Sequence, residues 1–127
     1  MSEQKTPQRP LSPHLSVYKP QITSAVSIFH RITGVVMTLG AALVIWWFVA
    51  GAISAEYFTF VERMITSWPG DLVMFGLLWA LVFHALNGIR HLIWDAGCCM
   101  EIESVNRSGW FVIAVSAVLT VAIAWIV

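Results

Sequence analysis

The side chains best suited to chemistry fall on two helical stripes. Ser27, His30, Arg31 and Gly34 are spaced i, i+3, i+4, i+7, and Ser24 joins their side. His84, Gly88, His91 and Asp95 repeat a similar spacing, with Arg90 alongside. Residues three and four apart lie on one face of a helix. The first stripe forms a polar pocket able to donate hydrogen bonds to a carbonyl or an anion. It equally suits a helix start at a membrane interface, with Arg31 snorkelling to the headgroups.

His84 is a different case. It stands inside an uncharged stretch, residues 72–89. An ionised side chain at the centre of a membrane costs about 2.5–3.5 kcal/mol or more, so an ionisable residue there is a functional candidate by default. A neutral imidazole can hydrogen-bond a neighbouring helix. It can also ligate a metal, and imidazole is a common axial ligand of haem iron. Gly88, one turn on, removes a side chain from the same face and leaves room for a flat ring. His84 and His91 cannot share one iron. They are separated by about 10 Å of helix rise on the same side, whereas axial ligands approach from opposite faces. His30 is the only other membrane-proximal histidine, because His14 lies in the polar tail. The chain therefore either binds a five-coordinate haem or takes its second ligand from a partner.

The elements that position these residues follow from composition. The 127 residues are 58% hydrophobic and 11% charged, with a formal net charge of zero. A soluble domain carries about a quarter charged residues, so this chain could not cover its own core as a soluble bundle. Nothing in the charge balance suggests nucleic acid. Uncharged stretches run over residues 32–55, 72–89 and 108–127. About 20 helical residues cross a hydrocarbon core of roughly 30 Å, and backbone amides in lipid must pair internally. The expected class is an all-α membrane protein with three transmembrane helices, at about 24–52, 71–94 and 108–127. They form one membrane-anchor domain preceded by a polar tail, 1–20. No internal repeat or low-complexity segment interrupts it.

Lysine and arginine set the expected orientation. Lys5, Arg9, Lys19 and Arg31 flank the start of span one, and Arg90 and Arg107 lie around the second loop. The first loop has only Arg63, beside Glu56, Glu62 and Asp71, and nothing charged follows Arg107. The N-terminus and second loop are therefore expected on the cytoplasmic (or matrix) side. His30 and Arg31 then share a depth with Arg90 and His91, and a haem at His84 could aim its propionates at this layer, where carboxylate–arginine pairing is strong. Trp94 and Trp110 fall near the inner interface, and Trp46, Trp47, Trp68 and Trp125 near the outer one. Trp79 fits neither belt and is expected against a partner or lipid.

The start of the chain resembles neither a secretory signal nor a transit peptide. Pro7, Pro10 and Pro13 interrupt it, arginine is sparse and Glu3 is present, so the first apolar segment is expected to be retained. Adjacent Cys98 and Cys99 lack CxxC spacing and would close a disulfide only with strain. They are expected to be reduced thiols in a loop.

Two motifs carry a resemblance. Arg9-Pro10-Leu11-Ser12-Pro13-His14-Leu15, then Tyr18, then Ser27-Ile28-Phe29-His30-Arg31-Ile32-Thr33-Gly34, resembles the N-terminal signature of the cytochrome b556 subunits of succinate dehydrogenase. His84-Ala85-Leu86-Asn87-Gly88-Ile89-Arg90-His91-Leu92-Ile93-Trp94-Asp95 is similar to that family's second signature. The third span matches in length only. The resemblance implies a non-flavin membrane subunit of succinate:ubiquinone oxidoreductase, respiratory complex II. Succinate is oxidised there on a flavoprotein subunit, and an iron–sulfur subunit carries the electrons to the membrane. This chain and a second three-helix anchor subunit bind haem b between them and help form the ubiquinone site. By the same resemblance His84 is the axial ligand of the haem iron, and the other ligand belongs to the second anchor. Ser27 and Arg31 are quinone-binding, His30, Arg31 and His91 lie near the haem propionates, and no catalytic residue belongs to this chain. A bacterial inner membrane is expected, with a mitochondrial inner membrane as the alternative.

Other functions remain to be weighed. A fumarate reductase anchor would run the reverse reaction, and a haem-free structural anchor would use His84 only for hydrogen bonding. A dihaem cytochrome b needs more intramembrane histidines than are present. A small transporter fits least, because no span is broken at mid-depth.

Overall fold

The computed structural model describes residues 19–127. The tail motif from Arg9 to Leu15, with His14 and Tyr18, lies outside the described residues. Four helices follow in order: α1 Ile22–Ile53, α2 Ala55–Ile65, α3 Trp68–Asp95 and α4 Ile102–Ile126. Among the described residues α1, α3 and α4 are long and apolar enough to cross a membrane. They agree with the three expected spans. α1 begins ten residues before its apolar stretch, α3 four and α4 six, because the hydrogen-bonded spiral continues through flanking polar residues where the hydrophobic signal stops.

The expected loop between spans one and two is mostly a helix. Ser54 ends α1 in an extended conformation, and its hydroxyl caps α2 by accepting from the Tyr57 amide at 3.1 Å. Glu56 opens α2 and Arg63 closes it, which suits the helix dipole. Its apolar side turns inward: Val61 is buried and Phe58 packs on Trp47. Trp46 Nε1 donates to the Tyr57 hydroxyl at 2.8 Å, tying α2 to the end of α1.

A short turn joins α2 to α3. Ser67 caps α3, accepting from the Gly70 amide at 3.3 Å, and Pro69 occupies the first turn, where its missing N–H is harmless. Gly70 is required here, since an added Cβ would clash with the carbonyl oxygens of Ile65 and Met64. Gly70→Ala therefore forces a backbone shift and is expected to cost about 1–3 kcal/mol. A lowered thermal midpoint of the purified complex reports it, and an unchanged midpoint would show that the turn relaxes freely.

The turn into α4 places Gly97 and Cys99 at positive φ, 77° and 58°. Cys98 and Cys99 are free and exposed, as expected from their adjacency. Glu103 and Arg107 pair on the surface at 2.6 Å, a contact worth little where water screens it.

A buried core joins the N-terminal part of α1 to α3 and α4. Val26 of α1, Phe83 of α3 and Val112 of α4 form the buried core, flanked by Ile22, Trp79, Leu86 and Ile113. Gly109 lets α4 approach α1, where an added Cβ would sit 3.3 Å from Ile22. Ser116 and Thr120 are buried but satisfied within α4, donating to the carbonyls of Ile113 and Ser116 at 2.9 and 2.7 Å. Trp79 does not stand against a partner or lipid alone. It is half-buried and packs on Phe29 and Phe83 of this chain, because the close α1–α3 crossing captures its ring. Large apolar side chains such as Val35, Leu39, Ile45, Phe48, Leu81 and Val118 remain exposed on the outer faces, as suits helices surrounded by lipid or other apolar helices.

Candidate functional site

The crossing of α1 and α3 brings three histidines into one column. His84 Nδ1 lies 3.1 Å from the backbone oxygen of His30 and 3.2 Å from Thr33 Oγ1. The Thr33 hydroxyl donates to that same His30 oxygen at 2.9 Å. A carbonyl only accepts, so the proton must be on Nδ1 of His84. Thr33, its own hydrogen committed to the carbonyl, is the second acceptor. In the neutral ring the lone pair is then on Nε2, and Nε2 has no hydrogen-bond partner among the described residues. An imidazole with one nitrogen held by a carbonyl and the other free is the form that ligates metals.

The rings of His30 and His84 stack with centroids 3.9 Å apart and planes at 13°. His91 is 5.3 Å from His30 and stands edge-on to Trp94 at 5.2 Å. Stacked rings direct their nitrogens sideways. Trans ligands of one iron must instead point at each other across it, so this arrangement does not make His30 the opposite ligand to His84. Nδ1 of His30 is buried with no hydrogen-bond partner among the described residues. No group of three or more His, Cys, Asp and Glu among them is arranged to hold a metal ion.

Two glycines shape the column. A Cβ on Gly34 would lie 3.3 Å from His84 Cε1, so the ring rests against bare backbone. A Cβ on Gly88 would meet nothing within 4 Å. The face between His84 and His91 is thus uncovered by this chain's own atoms at Gly88.

Ser27 is half-buried and Arg31 exposed. Neither has a hydrogen bond or ion pair among the described residues, and no hydrogen bond or ring contact joins them to the histidines there. Both are donors near the N-terminal end of α1. Arg90 differs from the expectation that it belongs to an available layer of positive charge. It is only 5% exposed. Nε donates to Ser108 Oγ at 2.8 Å, one terminal nitrogen to the Val105 carbonyl at 2.8 Å and the other to Asn87 Oδ1 at 3.2 Å. Its guanidinium lies 3.9 Å over the Trp94 ring. A buried guanidinium needs acceptors around its whole fork; α4 supplies two of them and Asn87 of α3 the third.

Thr33 and Asn87 were not singled out from the sequence. Both are polar residues inside an apolar helix, one three residues after His30 and one three before Arg90. That spacing was the available signal.

Three helices long and apolar enough to cross a membrane, with three histidines gathered between α1 and α3, define an integral membrane protein. Residues 5–123 match the family described as succinate dehydrogenase/fumarate reductase transmembrane subunit. The succinate dehydrogenase cytochrome b556 subunit of Paracoccus denitrificans is 41% identical over 121 residues, 95% of this chain and 93% of the relative. That of Rickettsia prowazekii is 40% identical over 119 residues, covering 94% and 92%. The succinate dehydrogenase cytochrome b560 subunit of Marchantia polymorpha is 42% identical over 117 residues, covering 87% and 85%. The chain belongs to the succinate dehydrogenase/fumarate reductase transmembrane subunit family, and is a membrane-anchor subunit of such an oxidoreductase.

Proposed function

We propose that this chain binds haem b through His84, together with a second three-helix anchor subunit, and helps form the site where ubiquinone accepts electrons from succinate oxidation. The observation that carries this is the fixed Nδ1–H of His84 with its unpartnered Nε2, set on a helix face that Gly88 leaves open. The residues present fit the group: a free imidazole nitrogen, a flat open face, and an orphaned buried nitrogen on His30 beside them. His84 would hold the haem iron through Nε2, together with a ligand from the partner anchor. His30, His91 and Arg31 would face the propionates. Haem b, when bound, supplies a one-electron carrier, and the protein's part is to set its position and potential.

At the quinone, Ser27 would donate a hydrogen bond to a carbonyl oxygen. Arg31, unpaired among the described residues, would stabilise negative charge on that oxygen as electrons arrive, since fixed donors act most strongly on developing charge in a dry site. With the N-terminus cytoplasmic, this end of the bundle meets the iron–sulfur subunit, which receives electrons from the flavoprotein. The membrane is a bacterial inner membrane in this proposal, with the mitochondrial inner membrane as the alternative.

Purification of the tagged chain from its own membranes tests this. The flavoprotein, iron–sulfur and second anchor subunits should copurify in equal amounts, with a b-type band in the reduced-minus-oxidised spectrum. An intact complex without that band would support a haem-free structural anchor. Arg31→Ala is expected to lower quinone reduction on the order of 100-fold, while succinate oxidation by a dye acceptor survives. Full quinone reduction in that variant would remove Arg31 from the site. A fumarate reductase anchor, which the family also includes, would show the reverse reaction dominating in the same preparation.

A further inference from the structure

Thr33 is 1% exposed and sits beneath the histidine column. A threonine inside a helix commonly returns its hydroxyl to a carbonyl three or four residues back, and Thr33 does so to His30 at 2.9 Å. Its position across from α3 adds a second contact. With its hydrogen on the His30 carbonyl, Oγ1 turns a lone pair toward Nδ1 of His84, 3.2 Å away. The Nδ1–H is thus shared between two oxygens of α1, one backbone and one side chain. The neighbouring Gly34 brings the backbone against Cε1 of the same ring. The Nδ1–Cε1 edge of the imidazole is thus bounded at two adjacent atoms by α1.

We propose that Thr33 is a positioning residue for His84: its hydroxyl fixes the Nδ1–H tautomer and the rotation of the ring, and thereby the strength with which Nε2 binds iron. This rests on the assignment of His84 as the axial haem ligand. The physical reason is general. A partner on the far N–H orients a ligating imidazole and raises its basicity, and losing such a partner typically weakens binding about 10–100-fold. A more basic imidazole favours ferric over ferrous iron. Removing the Thr33 acceptor should therefore raise the midpoint potential of the haem. The His30 carbonyl remains as the other acceptor, so the loss should fall at the low end of that range.

The test compares Thr33→Val and Thr33→Ser in the whole purified complex, with His84→Ala as reference. Valine keeps the shape and removes the hydroxyl, whereas serine keeps the hydroxyl. Thr33→Val should raise the haem midpoint potential, shift the electron paramagnetic resonance spectrum of the oxidised haem, and speed haem transfer to apomyoglobin about tenfold. Thr33→Ser should return all three toward the parent. Thr33→Ala, which removes the branch methyl as well, should move them in the same direction as valine and covers the case where the valine complex assembles poorly. Parent-like potential and transfer rate in the valine or alanine complex would overturn the role of Thr33. If His84→Ala keeps the parent spectrum too, the assignment of His84 itself fails instead. A serine variant as perturbed as valine would mean that packing, not the hydroxyl, is responsible.

Discussion

Replacing His84 with alanine is expected to abolish the native low-spin haem signal of the purified complex. The substitution removes the only imidazole nitrogen in the column that combines a fixed tautomer with a free lone pair. Neither neighbour is placed to take over. His30 is stacked beside the ring at 3.9 Å rather than across an iron from it, and His91 is seven residues further along α3. Losing a partner of a ligand costs about 10–100-fold in metal affinity, so loss of the ligand should exceed that. Electron paramagnetic resonance of the oxidised complex, together with haem content per flavin, measures it. Added imidazole should restore part of the signal by filling the space left by the side chain. Succinate oxidation by a dye acceptor should persist, because the proposed function places that chemistry on the flavoprotein subunit. A low-spin signal and midpoint potential equal to the parent's would remove His84 from the coordination.

The second large effect is expected at Arg90, which touches none of the column's rings. Arg90→Leu deletes hydrogen bonds to Ser108, Val105 and Asn87 together with the stacking over Trp94. It leaves the Asn87 amide, whose Nδ2 already lacks a partner among the described residues, without its remaining contact. Hydrogen bonds to charged groups are worth about 1.5–3 kcal/mol each, and a buried group left unsatisfied costs about 1–3 kcal/mol. These contributions overlap, because one side chain makes all of them. A net loss of about 3 kcal/mol is the expectation. It should appear as a lower thermal midpoint for subunit dissociation in detergent, with early protease access at the loop before α4. Arg90→Lys should recover little, since an ammonium cannot reproduce the three-way fork. An unchanged midpoint in Arg90→Leu would mean that α4 is held by its apolar contacts alone.

Arg90 also marks where the sequence stops being informative. Position along α3 put it at the depth of His91, and depth alone made it a candidate for pairing with carboxylates. Whether a cation at that depth is available depends on which way α4 turns its acceptors. Val105 and Ser108 are fifteen and eighteen residues away in the chain. No local pattern states that their oxygens converge on one guanidinium. Thr33 shows the same limit from the other side. Its spacing three residues after His30 was only a weak local signal, and only the angle between α1 and α3 sets it under His84.

By itself, the sequence determined the three apolar spans and the family resemblance. Hydropathy and helical period are local properties that survive without knowledge of the packing. The extra helix α2, the capture of Trp79 by Phe29 and Phe83, the commitment of Arg90 to α4 and the seat of His84 on Thr33 and Gly34 were decided only by the tertiary structure. Each depends on the rotation and closeness of helices distant in sequence. That geometry determines whether a polar group in a span is already satisfied within the chain or remains free to act. For His84 it did both: one nitrogen is satisfied by α1, and the other is free.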